Sequence, residues 1–186
     1  MSKYKREVNV LLQESKNGDK KSFQTLYRFT YKKLLLVATH YLFDKTELED
    51  VVEESYLKIH KSLDTVDPEK DGYNWMCKTV QTKAYLFNEK RRKRAEISIE
   101  ELTRSKEEKY TSVFAYADEV IERSDLLNAL KRLTETKQEI VYYRYWEELT
   151  YEEIAKRLGM AKTTVYDQMK AIKRELGKYL RGIKEI

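Results

Sequence analysis

Apolar side chains recur three and four residues apart through most of the chain, the spacing that gathers them on one face of an α-helix. Val8, Leu11, Leu12 and Ser15 outline a short first helix that ends at Asn17-Gly18, a glycine closing signal. A second, longer helix starts near Asp19, with a stripe of Phe23, Leu26, Tyr27, Leu34, Leu35, Ala38, Tyr41 and Leu42. Thr46 and Glu49 have capping-box spacing and predict a third helix reaching Leu63. The turn-rich segment Asp64–Gly72 holds the only proline and separates it from a fourth helix, Tyr73 to about Arg94. From Ala95 to about Glu122 the chain is mostly polar, with Ser98, Thr103, Ser105, Thr111 and Ser112, and reads as a linker. Leu126, Leu127, Leu130 and Leu133 open the next helix, and Thr136 with Glu139 predicts another capped one.

The last part of the pattern is the most specific. In TYEEIAKRLGMAKTTVYDQMKAIKREL, Thr150 and Glu153 form a capping box for a helix over Tyr151–Leu158. Gly159 follows where a left-handed residue is wanted. The chain turns over Met160 and Ala161 into a second helix, whose stripe is Val165, Met169, Ile172, Leu176 and Leu180. Thr163, Asp167, Lys170 and Arg174 then point the other way, flanked by Thr164, Tyr166 and Ala171. Two helices joined by a tight glycine turn make a helix-turn-helix, and this exposed mix of hydroxyls, an aromatic and cations suits phosphates and base edges.

Composition narrows the class to all-α. Five glycines and one proline leave few helix breakers in 186 residues. A net charge of +5, with 37% charged residues, favours an anionic partner. No run approaches the roughly 18 apolar residues of a membrane span, and MSKYKREVNV lacks a signal peptide's apolar core, so a soluble, cytoplasmic protein without membrane insertion is expected. Cys77, His40 and His60 are too few for a disulfide framework or a zinc site. No phosphate-cradling glycine loop or nucleophile-base set is visible, so neither a cofactor nor an enzyme is expected.

The third and fourth helices contrast in charge. At roughly 100° per residue, Leu48, Val51, Val52, Ser55, Tyr56 and Ile59 share one side of the third helix. Asp50, Glu53, Glu54 and Leu57 share the other, an acidic face with a leucine at its centre that suits a basic partner helix. The fourth helix carries Tyr73, Trp75, Lys78, Lys83, Tyr85 and Phe87 and closes on Lys90, Arg91, Arg92, Lys93 and Arg94. Cations attract phosphates and aromatic faces stack on unpaired bases, a combination suited to single strands. Trp75 and Phe87 are equally plausible core residues.

In this order the segments resemble the sigma-70 family of bacterial RNA polymerase sigma factors, in its small two-domain, extracytoplasmic-function-like form. GDKKSFQTLYRFTYKKLLLVA resembles the opening helix of region two, LEDVVEESYLKI its polymerase-binding helix, and DPEKDGYNWMCKTV the loop and helix start that melt promoter DNA. The stretch from Leu126 through Leu176 resembles region four. The resemblance implies a region-two domain over 1–94, a linker over 95–122 and a region-four helix-turn-helix domain over 123–186.

It also implies roles. Asp50, Glu53, Glu54 and Leu57 would dock core RNA polymerase. The Asp64–Gly72 loop would accept a flipped base of the minus-ten element, with Tyr73, Trp75, Lys78, Lys83, Lys90, Arg91, Arg92 and Arg94 on the melted non-template strand. Lys162, Thr163, Thr164, Tyr166, Lys170 and Arg174 would read the minus-thirty-five element as duplex, and an anti-sigma protein is the expected inhibitory partner. The chain departs from the family pattern at Thr82 and Leu86, where an asparagine and an aspartate are common, and at Tyr166, Asp167, Gln168 and Ala171 in the recognition helix. Two alternatives remain at this point: a helix-turn-helix regulator that does not bind polymerase, and a sigma-like interaction module.

Overall fold

A computed structural model describes residues 2–67, 70–93 and 124–182, and every regular element among them is helical. The expected linker and Arg94 lie outside the described residues. The chain divides into two compact units, Met1–Thr103 and Arg104–Ile186.

The first unit contains α1 (Lys3–Lys16), α2 (Lys20–Tyr41), α3 (Leu48–Lys61) and α4 (Gly72–Lys93). Helix α2 packs against the other three. Its C-terminal half, Leu34 to Thr39, is therefore buried all round, while Phe23, Tyr27 and Tyr41 of the expected stripe are only half-buried. Leu26, Val51, Val52, Ile59, Met76 and Val80 fill the core. Thr30 enters it by donating to the Leu26 carbonyl at 2.7 Å and pairing with the Tyr56 hydroxyl at 2.6 Å. Burial pushes the Tyr56 phenol well above its ordinary pKa, so it stays neutral.

The helix ends follow local chemistry. Gly18 takes φ 94° after α1, and the Asp19 carboxylate accepts the Lys21 N–H at 2.9 Å to cap α2. The expected box at Thr46 and Glu49 does not form. Asp44 lies two residues earlier and accepts both the N–H and the hydroxyl of Thr46, at 2.9 and 2.7 Å. That closes a 3-10 turn over Lys45–Glu47, and α3 starts at Leu48 with no side-chain cap. Glu49 and Asp50 instead sit in the first turn, where the helix dipole favours negative charge. At the head of α4, Asp71 accepts the Asn74 N–H at 2.9 Å and pairs with the buried Lys5. The Gly72 N–H donates to Asn9 Oδ1 at 2.9 Å, and a Cβ at Gly72 would force the Leu12 and Asn9 side chains of α1 to shift.

The second unit contains α5 (Ser124–Lys131), α6 (Glu135–Tyr145), α7 (Tyr151–Leu158) and α8 (Lys162–Gly182). Helix α8 packs against the other three. The cap position of α6 is Thr134, two residues before the expected Thr136, with no side-chain bond there. Gln138 then donates to the Leu130 and Lys131 carbonyls at the end of α5, at 3.4 and 3.3 Å, and to Leu133 O just beyond it at 3.0 Å, and Glu139 is buried. The box at Thr150 and Glu153 forms as expected, with both reciprocal bonds present. Gly159 ends α7 at φ 66° and ψ 32°.

Candidate functional site

The outer face of α3 carries Asp50, Glu53 and Glu54, all exposed, and Leu57, which is 61% exposed. Leu48, Val51, Val52, Ser55, Tyr56 and Ile59 are buried, as the wheel expected. Beside Leu57 lies an open hollow of about 470 Å³ lined by Phe23, Tyr27, Glu53, Tyr56 and His60. Its wall is aromatic: Tyr27 and Tyr56 lie 4.5 Å apart, and Phe23 meets His60 edge-on at 4.8 Å. The sequence assigned Phe23 and Tyr27 wholly to the core, so this hollow went unread.

Helix α4 is apolar on two faces. Tyr73, Met76, Cys77, Val80 and Ala84 are fully buried. Tyr73 was expected on DNA, but at 0% exposure it is a core side chain that packs edge-on against Tyr4 at 5.0 Å. On the other face Trp75, Thr79, Thr82 and Leu86 follow the same three- and four-residue spacing. They line an open groove of about 640 Å³ with Lys58, Lys78 and Lys83 on its rim. Trp75 is half-buried in this groove and Lys78 is exposed, whereas Lys83 is bonded to Glu54 of α3 at 2.9 Å. The basic run at the helix end is partly committed elsewhere. Arg91 pairs with Asp44, and Arg92 with Glu89 at 2.9 Å, while Lys90 and Lys93 are exposed.

In the second unit, α8 exposes Lys162, Thr163, Thr164, Tyr166, Asp167, Lys170 and Arg174 and buries Val165, Met169 and Ile172. Leu176 and Leu180 are half-buried rather than core. The Lys170 ammonium lies 4.5 Å from the centre of the Tyr166 ring, and Tyr166 meets Tyr151 of α7 edge-on at 5.8 Å. The aromatic pair thus orients a cation on the exposed face. Lys162 reaches Glu152 at 3.7 Å. Two supports were not foreseen: Arg157 pairs with the buried Glu147 at 3.4 Å and lies 4.8 Å over Tyr143, fixing α7 to the end of α6.

Among the described residues no group of three His, Cys, Asp or Glu is placed to hold a metal ion, and Cys77 is a buried thiol outside any disulfide. None of the described helices is long and apolar enough to cross a membrane.

The model of the ECF sigma factor family matches residues 5–182. The chain belongs to that family. Among curated proteins it is 25% identical over 174 residues to the ECF RNA polymerase sigma factor SigK of Mycobacterium sp. (strain KMS), covering 88% of this chain and 86% of the relative. It is 28% identical over 149 residues to the RNA polymerase sigma factor SigV of Bacillus subtilis (strain 168), covering 76% of this chain and 83% of that one. Among solved structures, CnrH in complex with the cytosolic domain of CnrY aligns over 95% of this chain and 98% of that one, at 16% identity and a TM-score of 0.49.

Proposed function

We propose that this ECF sigma factor docks core RNA polymerase through Asp50, Glu53, Glu54 and Leu57, captures the melted non-template strand of the minus-ten element along α4, and reads the minus-thirty-five element as duplex through α8. The observation that carries the reading is the division of charge within one small unit, an acidic face centred on the exposed Leu57 and a lysine-rimmed groove formed by α4 with the end of α3. A protein that only bound DNA would have no use for the first. Opposite charge steers a basic helix to the acidic face, and burying a leucine contributes about 1.5–3 kcal/mol once it is seated.

Along the groove, Lys58 of α3 and Lys78 and Lys83 of α4 follow phosphates while Trp75 meets bases. Drawing a base out of the stack costs a few kcal/mol, which these contacts offset. The Asp64–Gly72 loop takes the flipped base. Its residues 68 and 69 lie outside the described ones, and Thr65 at its near end lines the groove. Lys90 and Lys93 add phosphate contacts, and Arg91 and Arg92 contribute by exchanging their internal carboxylates for phosphate.

On α8, Lys162, Thr163, Thr164, Tyr166, Lys170 and Arg174 face a major groove. Asp167, which repels phosphate, accepts from a cytosine amino group. One chain carries both readers, so binding at one element raises the effective concentration at the other. An anti-sigma protein would hold the factor inactive by covering the α3 face and the DNA-reading helices.

The reading is tested by transcribing the host's genomic DNA in vitro with core polymerase, with and without the protein, and mapping transcript starts. New starts sharing two elements at minus ten and minus thirty-five are the expected result. Unchanged starts would overturn it.

A further inference from the structure

The second apolar face of α4 has no role in the core. Trp75, Thr79, Thr82 and Leu86 lie four, three and four residues apart, so at roughly 100° per residue they stack along one line of the helix. Leu86 at the end of that line is 56% exposed, a large apolar side chain held at a groove mouth. The polar groups of the wall are hydroxyls of Ser62, Thr65, Thr79 and Thr82, and among the described residues no carboxylate or carboxamide lines it. The charged residues lining it are Lys58, Lys78 and Lys83, the last bonded to Glu54 of α3 at 2.9 Å.

A cationic rim fits a nucleic-acid strand, and an apolar wall beside an indole fits one feature of its bases. Thymine alone among the DNA bases carries a methyl group, and apolar side chains recognise it by contact. Asparagine or glutamine would pair with adenine, arginine or lysine with guanine, and a carboxylate with the cytosine amino group; of these the described lining carries only lysines, which the strand's phosphates engage. We infer that Leu86 and Trp75 make this groove a thymine-methyl reader, selecting the promoter strand by the C5 methyl group of a pyrimidine rather than by hydrogen bonds to its pairing edge. The inference rests on the single-strand reading of α4 proposed above and names the base class that this face selects.

The test measures binding of the full chain, alone and assembled with core polymerase, to labelled short homo-oligonucleotides by fluorescence anisotropy. Deoxythymidine and deoxyuridine strands differ only by the methyl group, as do 5-methylcytosine and cytosine strands. The expected result is about fourfold tighter binding of the methylated member in both pairs, the effect of burying one such group. Leu86→Asn should erase both ratios, Leu86→Met should keep them, and neither should alter the salt dependence, which the lysines set. Equal binding of the thymidine and uridine strands, or ratios that survive Leu86→Asn, would overturn the inference while leaving the single-strand reading intact. Failure to bind any of the strands in either form would overturn that reading and the inference with it.

Discussion

Lys83 Nζ lies 2.9 Å from Glu54 Oε2, so a lysine on the rim of the α4 groove is bonded to a carboxylate on the acidic face of α3. The two faces proposed for polymerase and for DNA thus share one ion pair. A basic polymerase helix that engages Glu54 would release Lys83 to a phosphate. Partly exposed pairs of this kind contribute about 0.2–1 kcal/mol. Glu54→Gln should therefore strengthen binding of a single-stranded oligonucleotide by up to about fivefold, while weakening the hold on polymerase. Lys83→Met should weaken strand binding and lower the salt slope by about one. Salt titrations by anisotropy read both effects, and an unchanged oligonucleotide affinity in Glu54→Gln would show that the pair does not restrain Lys83.

Tyr73 separates stability from recognition. Its side chain is fully buried, and truncating a buried aromatic costs about 3–5 kcal/mol. Tyr73→Ala should lower the denaturation midpoint sharply, whereas Tyr73→Phe should retain the fold and bind oligonucleotide as the wild type does. Trp75→Ala should do the reverse, keeping most of the stability and losing about 1–3 kcal/mol of strand affinity. Urea titrations beside anisotropy measure each pair.

The turn between α7 and α8 depends on backbone conformation more than on contacts. Gly159 takes φ 66°, with nothing within 4 Å of where a Cβ would stand, so Gly159→Ala should cost about 1–2 kcal/mol through the left-handed conformation alone. Thr150→Ala removes the cap of α7 and should cost about 0.5–2 kcal/mol. Both should reduce duplex binding through loss of the motif. Thermal denaturation of the two variants and their double gives the magnitudes.

Asp19 sets a small acid dependence. The Ser22 hydroxyl, followed by the Lys21 N–H, holds its carboxyl below the ordinary value. The unfolded chain takes up this proton first as pH falls. The contribution is therefore complete above the ordinary carboxylate pKa and is lost as pH drops through the lower folded value. Asp19→Asn, which keeps an acceptor but does not titrate, should flatten the stability profile across that acidic window. Urea midpoints at stepped pH values test this.

Much of the fold was legible where the chemistry was local and unopposed. The Thr150–Glu153 box, the Gly159 turn and the Asn17-Gly18 end all hold, since each needs only residues within one or two turns. Thr46 failed because a competing acceptor, Asp44, stood two residues upstream, and Thr136 failed because the open carbonyls of α5 drew Gln138 inward. Periodicity found the buried face of α3 completely, because that helix is apolar on one side only. At α4 two apolar faces give no single stripe, so periodicity alone does not separate the buried Tyr73 from the line of Trp75, Thr79, Thr82 and Leu86 on the other side. The pairing of Lys83 with Glu54 and of Arg91 with Asp44 joins residues 29 and 47 positions apart, which no spacing rule reaches.

The acidic face of α3 is the polymerase contact proposed above. Co-purification with bacterial core RNA polymerase, comparing the wild type, Asp50→Lys with Glu53→Lys, and Lys170→Glu with Arg174→Glu, tests it most directly. The wild type and the α8 variant should elute with the polymerase and the α3 variant should elute alone. Polymerase binding that survives reversal of the α3 charges, or a wild type that does not bind at all, would contradict it.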